Sequence, residues 1–233
     1  MPNLPHHPET GLLLSGGIDS AVLLNQLLAR GWQVTPFYVR TGCVWQTSEL
    51  AAVEQLLARM EQPRLKELVV FDLPLEDLYG NHWSLSGSDV PDEQTPDEAV
   101  YLPGHNPLIL MKPAIWCQMH GIGHLTLATL SNNPFSDATP AFFAQFEEML
   151  HVAMGGRVQI ARPFEQLKKD QVVQMGRDLP LDLTFSCLAP IGGLHCGHCN
   201  KCAERRRAFV ELGIDDPTEY AAAVPADVAR SGG

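Results

Sequence analysis

Short apolar runs alternate along this chain with stretches whose apolar residues recur at helical spacing. Leu12–Leu14 reads as a buried strand and Asp19–Arg30 as a helix stopped by Gly31. Gln33–Val39 is the next strand; Pro36 inside it brings no N–H to a ladder, which predicts an edge position or a bulge. Trp45–Met60 is helical, with Leu50, Val53, Leu56 and Leu57 on one face, and Leu68–Leu73 is a third strand. Residues 74–104 break the rhythm. They are rich in Pro, Gly, Asp and Ser and have no period, so they predict a long loop of the kind that is often functional. The pattern then predicts a helix (Leu108–His120), a strand (His124–Leu130), a polar loop (Ser131–Thr139), a helix (Ala141–Met154), a strand (Val158–Ala161) and a helix (Leu167–Gly176). Strands alternating with helices of this length predict an α/β fold with a doubly wound, mostly parallel sheet. From Leu179 onward the pattern gives way to a cysteine-bearing appendage.

Composition narrows the picture. The chain has 233 residues, 45% of them apolar, enough for one large α/β domain with a small addition and a real core. Its formal net charge of −11 argues against a sequence-independent grip on a nucleic-acid backbone, so no stable nucleic-acid partner is expected. Arg205, Arg206 and Arg207 form a run too short to reverse this and read as a solvated helix face. The opening MPNLPHHPET has neither the basic nor the apolar region of a secretion signal, and no apolar run approaches the roughly 20 residues that span a bilayer. A cytoplasmic protein without a membrane partner is expected, and there clustered cysteines suggest metal rather than disulfides.

Two motifs carry chemistry. The first is Leu14-Ser15-Gly16-Gly17-Ile18-Asp19-Ser20, which follows the first strand and opens the first helix. Ligands of open α/β sheets bind at such turns, and the amides at a helix N-terminus suit phosphate. Paired glycines leave room for phosphate oxygens, and Ser15 and Ser20 can add hydroxyl donors. Neither G-x-x-x-x-G-K-[ST] nor G-x-G-x-x-G is present. The plainer alternative is a tight turn capped by a serine or by Asp19. The second motif is Cys187, Cys196, Cys199 and Cys202, spaced C-x8-C-x2-C-x2-C. Four thiolates so placed can close around one Zn²⁺ in a structural site; an iron–sulfur cluster is the rival. Cys117 reads as a core residue, and Cys43 as structural rather than reactive.

The LSGGIDS string resembles the signature of the PP-loop ATP pyrophosphatases, which hold the diphosphate of ATP and cleave between its α and β phosphates. The same string together with CGHCNKCAERRRAF resembles the 7-cyano-7-deazaguanine synthase (QueC/ExsB) family of the queuosine pathway, over nearly the whole chain. LPGHN (Leu102–Asn106) is similar to the family's V-P-G-R-N, Lys169 falls on a family lysine in P-L-x-x-L-x-K, and Phe185-Ser186-Cys187 matches the approach to its first zinc ligand. The resemblance implies a PP-loop nucleotide-binding domain over residues 1–178 and a four-cysteine zinc region over 179–233. It implies an ATP-dependent carbon–nitrogen ligase that adenylates a carboxylate and converts it with ammonia to amide and nitrile. The substrate implied is 7-carboxy-7-deazaguanine, and the cofactors are ATP, Mg²⁺ and zinc. A homodimer is compatible with it.

Under that reading Leu14, Ser15, Gly16, Gly17, Ile18, Asp19 and Ser20 hold the nucleotide. Asp19, with a further part in organising Mg²⁺, Ser20 and Lys169 are the catalytic candidates. His105, Asp137 and Arg40 are the substrate-contact candidates, and the four cysteines bind metal. The chain departs from the family in three places. NNPFSDATP (Asn132–Pro140) stands where the family carries Y-S-G-Y-P-D-C-R-P, His105 replaces an arginine, and Tyr38–Gly42 lacks the family's Gln-Arg-His. Two lost arginines change how an anion is held, because Arg makes fixed bidentate contacts with carboxylates; Arg40 is a candidate to compensate. Three rivals follow: a relative adenylating a different carboxylate (another purine or a protein C-terminus), a tRNA thiolase needing a reactive Cys43, and a non-catalytic zinc-knuckle RNA-binding module resting on Cys196–Arg207.

Overall fold

The apolar runs assemble into one all-parallel sheet. A computed structural model describes residues 9–131, 133–156 and 158–221. Strand β1 (Glu9–Leu13) leads into helix α1 (Ile18–Ala29), then β2 (Gln33–Arg40), α2 (Gln46–Arg59) and β3 (Val69–Asp72). Two single helical turns, α3 (Glu76–Tyr79) and α4 (Trp83–Ser86), precede α5 (His105–Met119), β4 (His124–Thr126), α6 (Pro140–Met154), β5 (Gln159–Ala161), α7 (Lys169–Met175) and α8 (Asn200–Leu212). The strand order is β3-β2-β1-β4-β5.

Both faces of this sheet are covered, which is why its strands are apolar runs rather than alternating ones. Leu12, Leu14, Val34 and Tyr38 pack on one face with Leu23 and Leu27 of α1, Val173 of α7 and Phe209 of α8. Phe37, Leu125 and Ile160 pack on the other with Leu110 and Cys117 of α5 and Phe143 of α6. Cys117 is thus a core residue, as expected. The doubly wound parallel arrangement matches the sequence pattern. Among the described residues no helix is long and apolar enough to cross a membrane.

Pro36 does not mark an edge: β2 lies inside the sheet, paired to β1 and β3. The bulge is there instead, on the partner. Val34 donates its N–H to Arg64 O at 2.9 Å, and Pro36, two residues on, faces the same side. Between the Val34–Leu65 bridge and the Phe37–Val69 pair, the neighbouring segment takes one residue more than β2. The ladder is broken where proline has no donor to give.

Two further expectations are corrected. Residues 74–104 are not simply a loop: besides α3 and α4 they form a 3-10 turn at Asp97–Val100, and their middle docks on the cysteine region. Asp92 bridges Cys199, Glu93 N–H donates to His198 O at 3.0 Å, and Asn200 Nδ2 donates to Thr95 O at 2.9 Å. The arginine run is not a solvated face either. Arg205 is 1% exposed and Arg206 9%; only Arg207 of the run lies on the surface. Arg205 donates to Thr184 Oγ1 (2.8 Å), Leu181 O (2.7 Å) and Thr218 Oγ1, while Arg206 pairs with Glu93 (2.8 Å). These bonds offset the cost of burying the charge.

Candidate active site

Strand order reverses between β1 and β4, and a cleft of about 390 Å³ opens beside their carboxyl ends. The glycine turn forms one wall. Leu14 is buried, its N–H donating to Phe37 O at 2.9 Å, and Ile18 is buried at the start of α1. The two glycines answer to different causes. Gly16 has φ +76°, and a Cβ there would lie 3.1 Å from Val53 Cγ2 and 3.2 Å from Glu49 O, so the backbone and α2 demand glycine. Gly17 has ordinary extended torsions, and a Cβ would meet only Ser15 Oγ at 3.6 Å and Phe185 O at 3.8 Å. The protein itself gives little reason for glycine at position 17, which lines the cleft.

No side chain caps α1. Gly17 is the N-cap, so neither serine nor Asp19 serves as one; Asp19 and Ser20 fall inside the first turn. Ser20 Oγ donates to Gly17 O at 3.0 Å and lies 3.3 Å from Ser15 Oγ. The uncapped end carries partial positive charge toward the cleft. Asp19 is gripped by Lys169 at the start of α7, whose Nζ donates to both carboxylate oxygens at 2.8 and 2.9 Å. Burial alone would loosen the proton on Lys169, but the carboxylates of Asp19 and Glu204 overrule it and raise its pKa. Glu204 is itself held below the usual carboxylate range. Its burial opposes this, and Lys169 and Lys201 outweigh the burial. Lys201 Nζ lies 2.6 Å from Glu204 Oε2. An alternating Asp19–Lys169–Glu204–Lys201 chain of charges thus runs along the cleft.

His105 opens α5 and lines the cleft, where burial lowers its pKa to about 4 and leaves it neutral; its buried Nδ1 has no hydrogen-bond partner. Asn106 beside it also lines the cleft. Asp137 does not. It is turned onto Asn106, accepting from the backbone N–H at 3.1 Å, while Asn106 Nδ2 donates to Asp137 O at 3.0 Å. Burial pushes the Asp137 carboxyl up, opposed by these bonds. Asp137 therefore holds the entry of α5. Asn132, at the head of its loop, lies outside the described residues. Arg40 also stays away from the cleft, bound to Asp72 at the β2–β3 edge by Nε–Oδ1 2.8 Å and Nη2–Oδ2 3.1 Å. Of the three substrate candidates, the structure brings only His105 to the cleft.

Sequence reasoning passed over several lining residues. Glu49 of α2 accepts from Tyr38 Oη at 2.7 Å, and burial raises its pKa to about 8. Lys201, Glu204 and Arg205 arrive from α8, and the short β4 releases Ala128 and Thr129 into the wall. Nothing in the helical periodicity marked them; the single hint was the density of charge after Cys199. Cys43 is absent from the cleft wall, accepts from Thr41 Oγ1 at 3.2 Å, and has its thiol pushed up by burial. A thiolate nucleophile there is disfavoured.

The four cysteine sulfurs lie within 4.8 Å of one another, all buried. Sγ separations of 3.9 Å (Cys196–Cys202) and 4.0 Å (Cys187–Cys199) suit a tetrahedral cation, whose ligand sulfurs stand roughly 3.8 Å apart. Backbone N–H groups of Ala189 and Cys196 point at Cys187 Sγ (3.3 and 3.2 Å), and that of Cys199 at Cys196 Sγ (3.3 Å), as thiolates require. The donor set fits a metal with no open position. The cluster also touches the cleft: Ser186 and Cys187 line it, and Phe185 N–H donates to Gly16 O at 2.8 Å.

Known proteins resemble the whole arrangement. The family described as queuosine biosynthesis protein QueC matches residues 10–213. The 7-cyano-7-deazaguanine synthase of Syntrophobacter fumaroxidans is 32% identical over 239 aligned residues, covering 92% of this chain and 97% of that protein. The synthase of Stenotrophomonas maltophilia is 30% identical over 227, covering 90% and 98%. A solved structure of a predicted tRNA methyltransferase subunit from Methanocaldococcus jannaschii aligns with TM-score 0.49 and 12% identity, over 72% of this chain and 74% of that one. That likeness is too slight to bear on the site. A match running from β1 through α8 spans the glycine turn and the cysteine cluster alike, and the chain belongs to the QueC family of queuosine biosynthesis proteins.

Proposed function

We propose that this protein is a 7-cyano-7-deazaguanine synthase of the cytoplasm, converting 7-carboxy-7-deazaguanine to the nitrile with ATP and ammonia. A carboxylate resists nucleophiles because of its charge. Transfer of AMP to it expels diphosphate and supplies a leaving group; ammonia then attacks the carbonyl carbon, AMP departs, and an amide remains. A second adenylation, on the amide oxygen, followed by loss of AMP and protons leaves the nitrile. The protein's part is to position the partners and stabilise charge on the departing diphosphate.

The observation that carries this reading is Gly17: a residue without a Cβ, at an uncapped helix N-terminus, facing the cleft of a QueC-family chain. The first-turn amides of α1 with Ser15 and Ser20 would hold the diphosphate, and Lys169, oriented by Asp19, would meet developing negative charge. Mg²⁺ would enter with the nucleotide as its counter-ion. Zinc on the four thiolates would be structural, holding Phe185–Leu188 against the glycine turn. The RNA-module alternative loses its footing with Arg205 and Arg206 buried. The test is to incubate the pure protein with ATP, ammonium and 7-carboxy-7-deazaguanine. The nitrile by mass spectrometry, with AMP and diphosphate as co-products, is expected; ADP formation or no nitrile overturns it.

A further inference from the structure

Resting on the reading above, we infer that Lys201 is the cation that binds the substrate's carboxylate and so sets the preference for an acid. A buried carboxylate needs a charged partner, since desolvating it alone is prohibitive. Among the described residues lining the cleft, the permanent cations are Lys169, Arg205 and Lys201. Lys169 gives two contacts to Asp19. Arg205 is almost fully buried and spends its guanidinium on Thr184, Leu181 and Thr218. Lys201 gives one of its three ammonium hydrogens to Glu204, and its side chain is 30% exposed. His105, where the family pattern has arginine, is neutral, and Arg40 is occupied by Asp72.

Position makes the same choice. The main cleft continues into a side chamber of about 130 Å³ that is bounded by Asp97, Asn133, Phe135, Lys201 and Glu204. Ser15, Gly17 and Ser20 border the main cleft but not this chamber, whereas Lys201 borders both. A flat heteroaromatic ring in the chamber would have the Phe135 ring as a wall. A carboxylate on that ring, bound at Lys201, would point back toward the glycine turn, where the nucleotide's α-phosphate must be attacked. The neighbouring acids do not cancel this cation: on the cleft wall Asp19 and Glu204 face three cations, Lys169, Lys201 and Arg205, with Lys169 acting on both acids, and Asp97 in the chamber is paired with Arg207 at 3.8 Å.

The reaction contains its own control, because its second half begins from an uncharged amide of the same ring. Steady-state kinetics of Lys201→Met should show KM for 7-carboxy-7-deazaguanine raised roughly tenfold or more, as loss of a charged hydrogen bond does. KM for ATP and for the pre-formed amide should stay within about twofold. Lys201→Arg should restore most of the loss with the acid. Lys169 remains beside Glu204 when Lys201 is replaced, so metal content and melting temperature should be unchanged and serve as folding controls. An unchanged KM for the acid overturns the inference, as does an equal rise for acid and amide, or a rise for ATP. Wild-type protein inactive on both acid and amide fails the proposed function first, and the role of Lys201 with it.

Discussion

At the scale of single residues, adjacent identical letters carry opposite meanings. Gly16 is required by a left-handed backbone and by α2 packed against it; Gly17 is required by neither. Gly16→Ala should therefore destabilise by about 2 kcal/mol or more, from the positive φ and the tight contacts, which thermal melts would register as a drop of several degrees. Gly17→Ala should cost no more than about 1 kcal/mol, as a poorer N-cap, yet weaken ATP binding at least tenfold by calorimetry. Equal ATP affinity in the Gly17 variant would remove the case for a phosphate cradle. Glu49 offers a pH test. Its pKa rises from 4.5 to about 8 on folding because burial disfavours the charged form. The folded state thus keeps a proton that the unfolded chain releases, so this contribution is intact below about 4.5 and declines as pH climbs through 8. Glu49→Gln should flatten that decline. The melting-temperature gap between variant and wild type should widen by a few degrees from pH 5 to 8, and a constant gap would refute it. The glycine string and the four cysteines were legible because their signal is local. Glu49 and Lys201 were not, because each looks like any polar residue of an amphipathic helix until the fold turns it inward.

At the scale of elements, the cysteine region is fastened to two segments far from it in sequence. Residues 92–97 bind its knuckle through Glu93, Thr95 and Asp97, and Phe185, two residues before Cys187, fastens the Gly16 carbonyl. The four buried cysteine sulfurs fit a shared metal ion, and a chelator would leave them without that common partner. Hydrogen exchange after chelation should therefore show lost protection at residues 90–97 and 185–202, with β1 and β2 still protected, and a weaker ATP affinity. Unchanged exchange at 90–97 would separate loop and knuckle. The strand and helix pattern predicted most elements, since periodicity reports the burial that each segment expects. It failed at 74–104, whose order comes from a partner about a hundred residues away: Asn200 meets Thr95 and Asp97. Of the two outcomes that Pro36 predicted, the edge position is absent and the bulge is present, as an extra residue on the neighbouring segment.

At the scale of the molecule, charge and fold together set the partner class. With a net charge of −11 and two of three clustered arginines buried, the protein should bind tRNA weakly. Filter binding at about 150 mM salt should show no retention, and steeply salt-dependent retention would reopen the nucleic-acid reading. By itself the sequence determined the α/β class, the phosphate-suited turn after β1 and the metal-suited quartet of thiols. Each is written in a short window, where spacing along the chain is spacing in the fold. Only the tertiary structure decided which charges face the cleft. Lys169 reaches Asp19 across 150 residues, Arg205 sinks into the core, and Arg40 and Asp137 turn away to other partners. A charged side chain is placed by whatever compensates it, and here the compensating groups come from strands and helices that only the folded sheet brings together.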